Sequence, residues 1–403
     1  MTDVFVVSDN ILSPLGWTTA ENFTRLKEAV SGIQLHDDAT LSAEPFYAAL
    51  FNKELDQDLA GILPDPGDLT RFEQLLVVSI RQALADCGVD PADPETILII
   101  SSTKGNIPLL EAPEPIPGPD SPAPRLQDRL SLFGSAGRIA AYLHFTNRPL
   151  VVSNACISGL LGIITGTRLI RSGRYKNAVV AGADLISKFV LSGFQSFQAV
   201  SPEPCRPFDK DRTGISLGEA SATMILSGKS DHLPASGKKG HPSHPVIKVM
   251  GGRTGNDANH ISGPSRTGSE LSYIIQKVLQ DAAVTPQDID LISAHGTATP
   301  YNDEMEAKAI ELAGMESVPV NSLKGYYGHT LGAAGLVESI ITIASMKEDL
   351  VLPTMGFREH GVTKPIHVTR SLLHTPLKHC LKTASGFGGC NAAVLYSKTP
   401  QRL

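Results

Sequence analysis

Short runs rich in valine and isoleucine, most of them closed by Gly, Asn or Pro, punctuate the chain at residues 3–7, 96–101, 150–153, 178–181, 222–226, 246–249, 289–293 and 392–396. Continuous apolar runs of this length predict strands buried on both faces. Helix-length segments lie between many of them, and that alternation predicts an α/β fold. Two stretches also echo one another. Residues 84–93 (LADCGVDPAD) and 279–288 (LQDAAVTPQD) share Leu, Asp, Val, Pro and Asp at a constant offset, each after a helical pattern and before a strand. A duplicated unit accounts for this, and so do two similar helix exits.

Residues 109–124 (LLEAPEPIPGPDSPAP) carry too much proline for helix or strand and predict a loop. Residues 228–245 (GKSDHLPASGKKGHPSHP) read as the connector between two halves, 1–244 and 245–403, with the histidines there read as solvated rather than metal-ligating. A chain of 403 residues that is 41% hydrophobic and 19% charged can bury a large core without disulfides or metals. Five cysteines, odd in number and without CxxC spacing, predict neither a disulfide framework nor a zinc site. No apolar run reaches the roughly 18 residues of a bilayer span. The first ten residues hold an early Asp3 and no basic run, so a cytosolic location is expected. A net charge of −6 argues against a general nucleic-acid surface, while leaving room for a local basic patch facing an acidic partner.

Chemistry concentrates at three passages. PLVVSNA runs straight into CISGLLGIITGTRLIRSG, an apolar helix pattern closed by Gly173, which puts Cys156 at a strand-to-helix turn. Unpaired N–H groups and the helix dipole there are expected to lower the thiol pKa. Position alone allows equally a buried cysteine in a glycine-rich turn. Downstream, the strand at 289–293 ends in AHGTATPYND, and VNSLKGYYGHTLGAAGLVES places Lys324 and His329 at another strand-to-helix passage. Ligands in open α/β sheets gather at the carboxyl ends of strands. Two histidines, a lysine and a cysteine entering from such ends are hard to explain as packing. TASGFGGCNAAV adds a glycine-rich turn before the last strand. A phosphate cradle is the rival reading, but the chain has no GxxxxGK[ST] and no strand–GxGxxG–helix unit, so nucleotide binding is not expected.

The blocks NACISG, RPFDKDRTGISLGEA, HGTATPYND, NSLKGYYGHTLGAAG and GFGGCNAAV, in this order across essentially the whole chain, resemble the β-ketoacyl carrier-protein synthases, elongating condensing enzymes of the thiolase superfamily. The resemblance implies a thiolase-like fold, a duplicated βαβαβαββ unit in a five-layer αβαβα core. It implies that Cys156 accepts an acyl primer from the phosphopantetheine of an acyl carrier protein, no further cofactor being required. By matching position, His295 and His329 would stabilise the enolate left by decarboxylation of a malonyl thioester. Lys324 and Glu338 would form an ion pair beside them. Phe387 would be a gating residue whose N–H, with that of Cys156, holds an oxyanion. Thr297 and Thr299 would bind the pantetheine arm, with Gly386 and Gly388 beside it.

Three departures bear on the acyl chain: the bulky Ile157 after the nucleophile, a shortened loop at 201–206 with Arg206 as a candidate carrier contact at the pocket rim, and the proline-rich 109–124. Relatives imply a homodimer, with a heterodimer as the variant. Fatty-acid elongation competes with a polyene, aryl-polyene or polyketide pathway. A non-catalytic chain-length-factor subunit is disfavoured by Cys156 and both histidines. A degradative thiolase using Cys390 is disfavoured by the HGTxT and KxxxGH histidines, which leave Cys390 as a small buried residue.

Overall fold

The computed structural model describes residues 2–111, 126–232 and 245–399. Residues 112–124 of the proline-rich loop and 233–244 of the predicted connector therefore lie outside the described residues. Ten strands form one hydrogen-bonded sheet: β1 (Phe5–Leu12), β2 (Thr96–Ser101), β3 (Leu150–Val152), β4 (Asn177–Asp184), β5 (Ala220–Ser227), β6 (Val246–Asn256), β7 (Leu291–Ser293), β8 (Val320–Asn321), β9 (His379–Gly386) and β10 (Cys390–Thr399). Their spatial order is β8-β7-β9-β10-β6-β1-β5-β4-β2-β3. The order is a duplication. Outward from the centre, β1-β5-β4-β2-β3 corresponds strand for strand to β6-β10-β9-β7-β8. In each set the first two pairings are antiparallel and the last two parallel. The halves join through a short antiparallel pairing of β1 with β6.

Six helices build the remaining layers: α1 (Arg71–Ala85), α2 (Leu132–Tyr142), α3 (Ser158–Arg171), α4 (Ser269–Ala282), α5 (Pro300–Leu312) and α6 (Ala334–Glu348). α1 and α2 cover the outer face of the first half, and α4 and α5 that of the second, each over its own apolar cluster. α3 and α6 lie between the halves and are buried almost all round, as a helix with apolar residues on every side must be. The expected five layers result. The repeats at 84–93 and 279–288 fall at the exits of α1 and α4, which precede the matched strands β2 and β7. Among the described residues no helix is long and apolar enough to cross a membrane.

Two glycines let the central helices touch. A Cβ at Gly159 would lie 2.8 Å from the backbone nitrogen of Leu336, and one at Gly335 would lie 2.8 Å from that of Leu160. This reciprocal contact brings the start of α3 against the start of α6, and so the turn that carries Cys156 against the passage that leads out of β8.

Candidate active site

Cys156 sits between β3 and α3, in the strand-to-helix turn expected from the sequence. Ala155 before it has φ of +43°, a left-handed conformation uncommon for a residue with a Cβ. The Ser158 hydroxyl pins this turn, accepting from the Asn154 N–H at 2.8 Å and donating to the Ala155 carbonyl at 2.6 Å. At its far end α3 stops as expected, with Gly173 at φ +73° just past the last turn. The expected lowering of the thiol pKa does not hold. Cys156 is 8% exposed, and burial pushes the thiol up to about 12 against the opposing pull of the Lys324 ammonium. α3 begins only at Ser158, and loss of water outweighs the helix end.

The structure brings His295, after β7, and His329, after β8, to the same point. One nitrogen of each ring and the Cys156 sulfur lie within 4.8 Å of one another. The rings meet edge to face with centroids 5.2 Å apart. Their tautomers follow from their neighbours. The Leu331 N–H donates to His329 Nδ1 at 3.2 Å, and the Lys324 ammonium stands 3.3 Å from His295 Nδ1. Both Nδ1 atoms are therefore acceptors, and each neutral imidazole carries its proton on Nε2. Burial first, then the charge of Lys324, holds both histidines well below 6.5. Among the described residues His329 Nε2 is buried with no hydrogen-bond partner and borders the cavity described below.

Lys324 and Glu338 form the expected ion pair, at 2.5 Å and almost fully buried. Lys324 also donates to the His295 carbonyl at 2.8 Å. Two neighbours escaped the sequence reading. Glu306 accepts from the N–H groups of His295 and Gly296 at 2.7 and 2.8 Å, and from the Thr383 hydroxyl at 2.6 Å. Lys382, in β9, reaches the second oxygen of Glu338 at 2.7 Å. Nothing in local sequence marks either, because their partners meet them only after the sheet forms.

A cavity of about 720 Å³ opens over these groups, lined by Cys156, His295, His329, Thr297, Thr299, Gly386 and Phe387 among others. The Thr297 and Thr299 hydroxyls are 2.9 Å apart, and Thr299 also caps α5. Phe387, 38% exposed, packs against Phe194 and Phe197 with centroids 5.7 and 5.5 Å away, an aromatic trio at the mouth. Gly386 is forced by close approach, since a Cβ there would stand 2.9 Å from the Cys390 sulfur and 3.1 Å from the Cys156 nitrogen. Gly388 lies off the lining with its N–H on the Ile261 carbonyl. Two more of the expected residues lie off the lining. Ile157 belongs to the central apolar cluster. Arg206 is outside the lining, its guanidinium held by Glu203 at 2.6 Å. Asn259, His260 and Arg266 instead supply a polar side of the mouth that the sequence did not announce.

One cysteine and two histidines this close could also grip a metal. The outer partners do not suit one. A metal on Nε2 needs Nδ1–H donating outward to an acceptor, whereas here a backbone N–H and an ammonium point at the two Nδ1 atoms.

The beta-ketoacyl synthase N-terminal domain model matches residues 1–232, and the C-terminal domain model matches residues 247–358. The chain belongs to the beta-ketoacyl synthase family. Among its family relatives, the 3-oxoacyl-[acyl-carrier-protein] synthase 2 of Vibrio cholerae serotype O1 is 30% identical over 98% of this chain and 99% of its own length. A solved structure described as the ishigamide ketosynthase/chain length factor superposes with a TM-score of 0.84 at 26% identity, covering 99% of each chain. A ketosynthase, ApeO, in complex with its chain length factor, ApeC, from Xenorhabdus doucetiae gives a TM-score of 0.81 at 24% identity over 99% of this chain and 98% of that one. At that identity the likeness speaks for the fold alone.

Proposed function

We propose that this protein is a 3-oxoacyl-[acyl-carrier-protein] synthase, an acyltransferase that joins an acyl primer to a malonyl unit by decarboxylative Claisen condensation. One observation carries the reading: the Cys156 sulfur lies within 4.8 Å of a nitrogen of each of two neutral imidazoles, and His329 Nε2 is buried without a hydrogen-bond partner among the described residues. The Cys156 sulfur attacks the thioester of an acyl carrier protein, and its proton leaves with the departing pantetheine thiol. The malonyl thioester then loses carbon dioxide, and the enolate oxygen gathers charge where His295 and His329 donate. The enolate carbon attacks acyl-Cys156, the oxyanion resting on the Cys156 and Phe387 N–H groups, and the 3-oxoacyl chain departs as the thiol takes up a proton. Lys324 and Glu338 hold the imidazoles in this state. Thr297 and Thr299 line the path of the phosphopantetheine arm, the only prosthetic group the reaction requires.

A specialised polyene or polyketide pathway is the second reading, favoured by the 26% identical ketosynthase/chain length factor structure. A partner of either kind, a second copy or a related subunit, fits against β3, the outermost strand, whose far edge is open among the described residues. The two family halves are taken to divide between residues 244 and 245.

The test incubates the protein with malonyl- and acyl-carrier proteins of varied chain length and identifies products by mass. A 3-oxo product two carbons longer than the primer is expected, its length and unsaturation separating the two pathways. Cys156→Ala should lose acylation while keeping its melting transition, and normal acylation of that variant would sink the assignment. His295→Ala and His329→Ala should slow malonyl decarboxylation by about a hundredfold or more, the usual cost of an oxyanion donor, and slow acylation less. A near wild-type condensation rate in either would remove it from the mechanism.

A further inference from the structure

Lys382 is one of the largest fully buried side chains in the protein, and the condensation as described does not use it. Its ammonium donates to the Ser293 carbonyl at 3.1 Å and the Ala294 carbonyl at 3.0 Å, and pairs by charge with Glu338 Oε2 at 2.7 Å. Lys324 takes the next carbonyl, that of His295, and the other Glu338 oxygen. Three consecutive carbonyls leaving β7 are thus held by two ammonium groups that share one carboxylate. From the opposite side Glu306 holds the N–H groups of His295 and Gly296. The peptide that carries His295 is gripped on both faces.

A lysine serving packing alone would be a poor choice here. Burying an ion pair costs about as much as it returns, and apolar replacements are often neutral or stabilising. Glu338 already has Lys324, so Lys382 brings a second lysine to one carboxylate, with Glu306 buried on the far side of the His295 peptide. Both lysines act on the imidazoles, next to the place where enolate charge develops.

We propose that Lys382 is a positioning residue of this active site: it fixes Glu338 from the side opposite Lys324 and holds the β7 carbonyls, so that Lys324 stays on His295 and two ammonium groups stay beside the imidazoles. This rests on the condensing reading above. The groups facing the two imidazoles are Lys324, Lys382 and Glu338, with Glu306 beneath the His295 peptide and Cys156 across the cavity. Both lysines act to keep the imidazoles neutral. Removing one lets them take up protons at higher pH, and a protonated pair no longer offers the same tautomer.

The experiment compares the full-length protein with Lys382→Met and Lys382→Gln, the second keeping a donor for the carbonyls without the charge. Malonyl-carrier decarboxylation, Cys156 acylation by octanoyl-carrier, the pH profile of each and the melting transition are measured. The ratio of decarboxylation to acylation should fall about tenfold, less than the loss of a direct donor costs, and the acid limb of decarboxylation should move to higher pH. An unchanged ratio and an unmoved limb overturn the proposal, even if the variants melt earlier, since that is what a packing role predicts. Should Lys382→Met fail to fold, Lys382→Gln decides by the same two readouts. A wild-type protein that neither acylates nor decarboxylates would sink the condensing reading itself, a result distinct from silent Lys382 variants.

Discussion

In the folded protein burial, and then Lys324, hold the imidazoles of His295 and His329 well below their ordinary value, toward the neutral form. In the unfolded chain they take up protons near the ordinary value of about 6.5. Below that pH the unfolded state binds more protons, so stability falls as the solution is acidified; above it their contribution is constant. Asp303 acts the other way. Burial raises its carboxyl to about 6, so between its ordinary 3.8 and 6 the folded state holds the additional proton and the cost of burial is relieved. The guanidinium midpoint should drop from pH 7 to pH 5, and a His295→Gln/His329→Gln double variant should flatten that slope. An equal slope in the double variant would refute the assignment of neutral histidines. The raised thiol of Cys156 predicts a second titration. Its alkylation by iodoacetamide, followed by mass, should keep rising through pH 9 to 11, and a plateau near pH 7 would mean a thiolate at rest.

At the scale of elements, the hairpin of β9 and β10 packs against the turn that carries Cys156. Gly386 ends β9 with no room for a side chain, and Gly388 and Gly389 turn the chain with φ of +84° and +76°. Gly386→Ala would push the Cys156 turn or the Cys390 sulfur aside, costing about 1–3 kcal/mol as overpacking does. Acylation of Cys156 should suffer beyond that stability loss. A variant that melts earlier yet acylates at the wild-type rate would show that the hairpin gives way and the nucleophile turn does not. The same hairpin marks where sequence reading stops. The apolar strands were legible because β2, β4 and β5 are buried on both faces. β9 was not, because HCLKTASG interrupts its apolar run with Lys382, Thr383 and Ser385, whose partners lie elsewhere in the chain. β1 runs past its predicted end at residue 7 because Asp9 and Asn10 find Lys347 and Gln82 across the interior. Cys156, His295, Lys324 and His329 were readable as motifs at strand ends. Glu306 and Lys382 were not, and neither were the burial of Ile157 and the pairing of Arg206 with Glu203, since these depend on the packed whole.

For the whole molecule, the ten-stranded sheet ends at β3 in a three-residue strand with Leu150 exposed on it. An open edge of this kind invites another chain. A sedimentation experiment at micromolar concentration should show a dimer, and Leu150→Asp should shift it toward monomer. Identical sedimentation of the variant would place the interface away from β3.

The reciprocal glycine contact between α3 and α6 has a consequence for how such a site can arise. The Cys156 turn and the His329 passage follow matching strands, β3 and β8, of the two repeats and come together where α3 and α6 touch, as if about a two-fold axis. Two identical half-length chains paired about a true two-fold would set the same residue on both sides of that axis. The chemistry wants unlike residues, a sulfur facing a hydrogen-bond donor. Fusing the copies into one polypeptide frees the two positions to diverge, so a symmetric scaffold can hold an asymmetric pair of reagents.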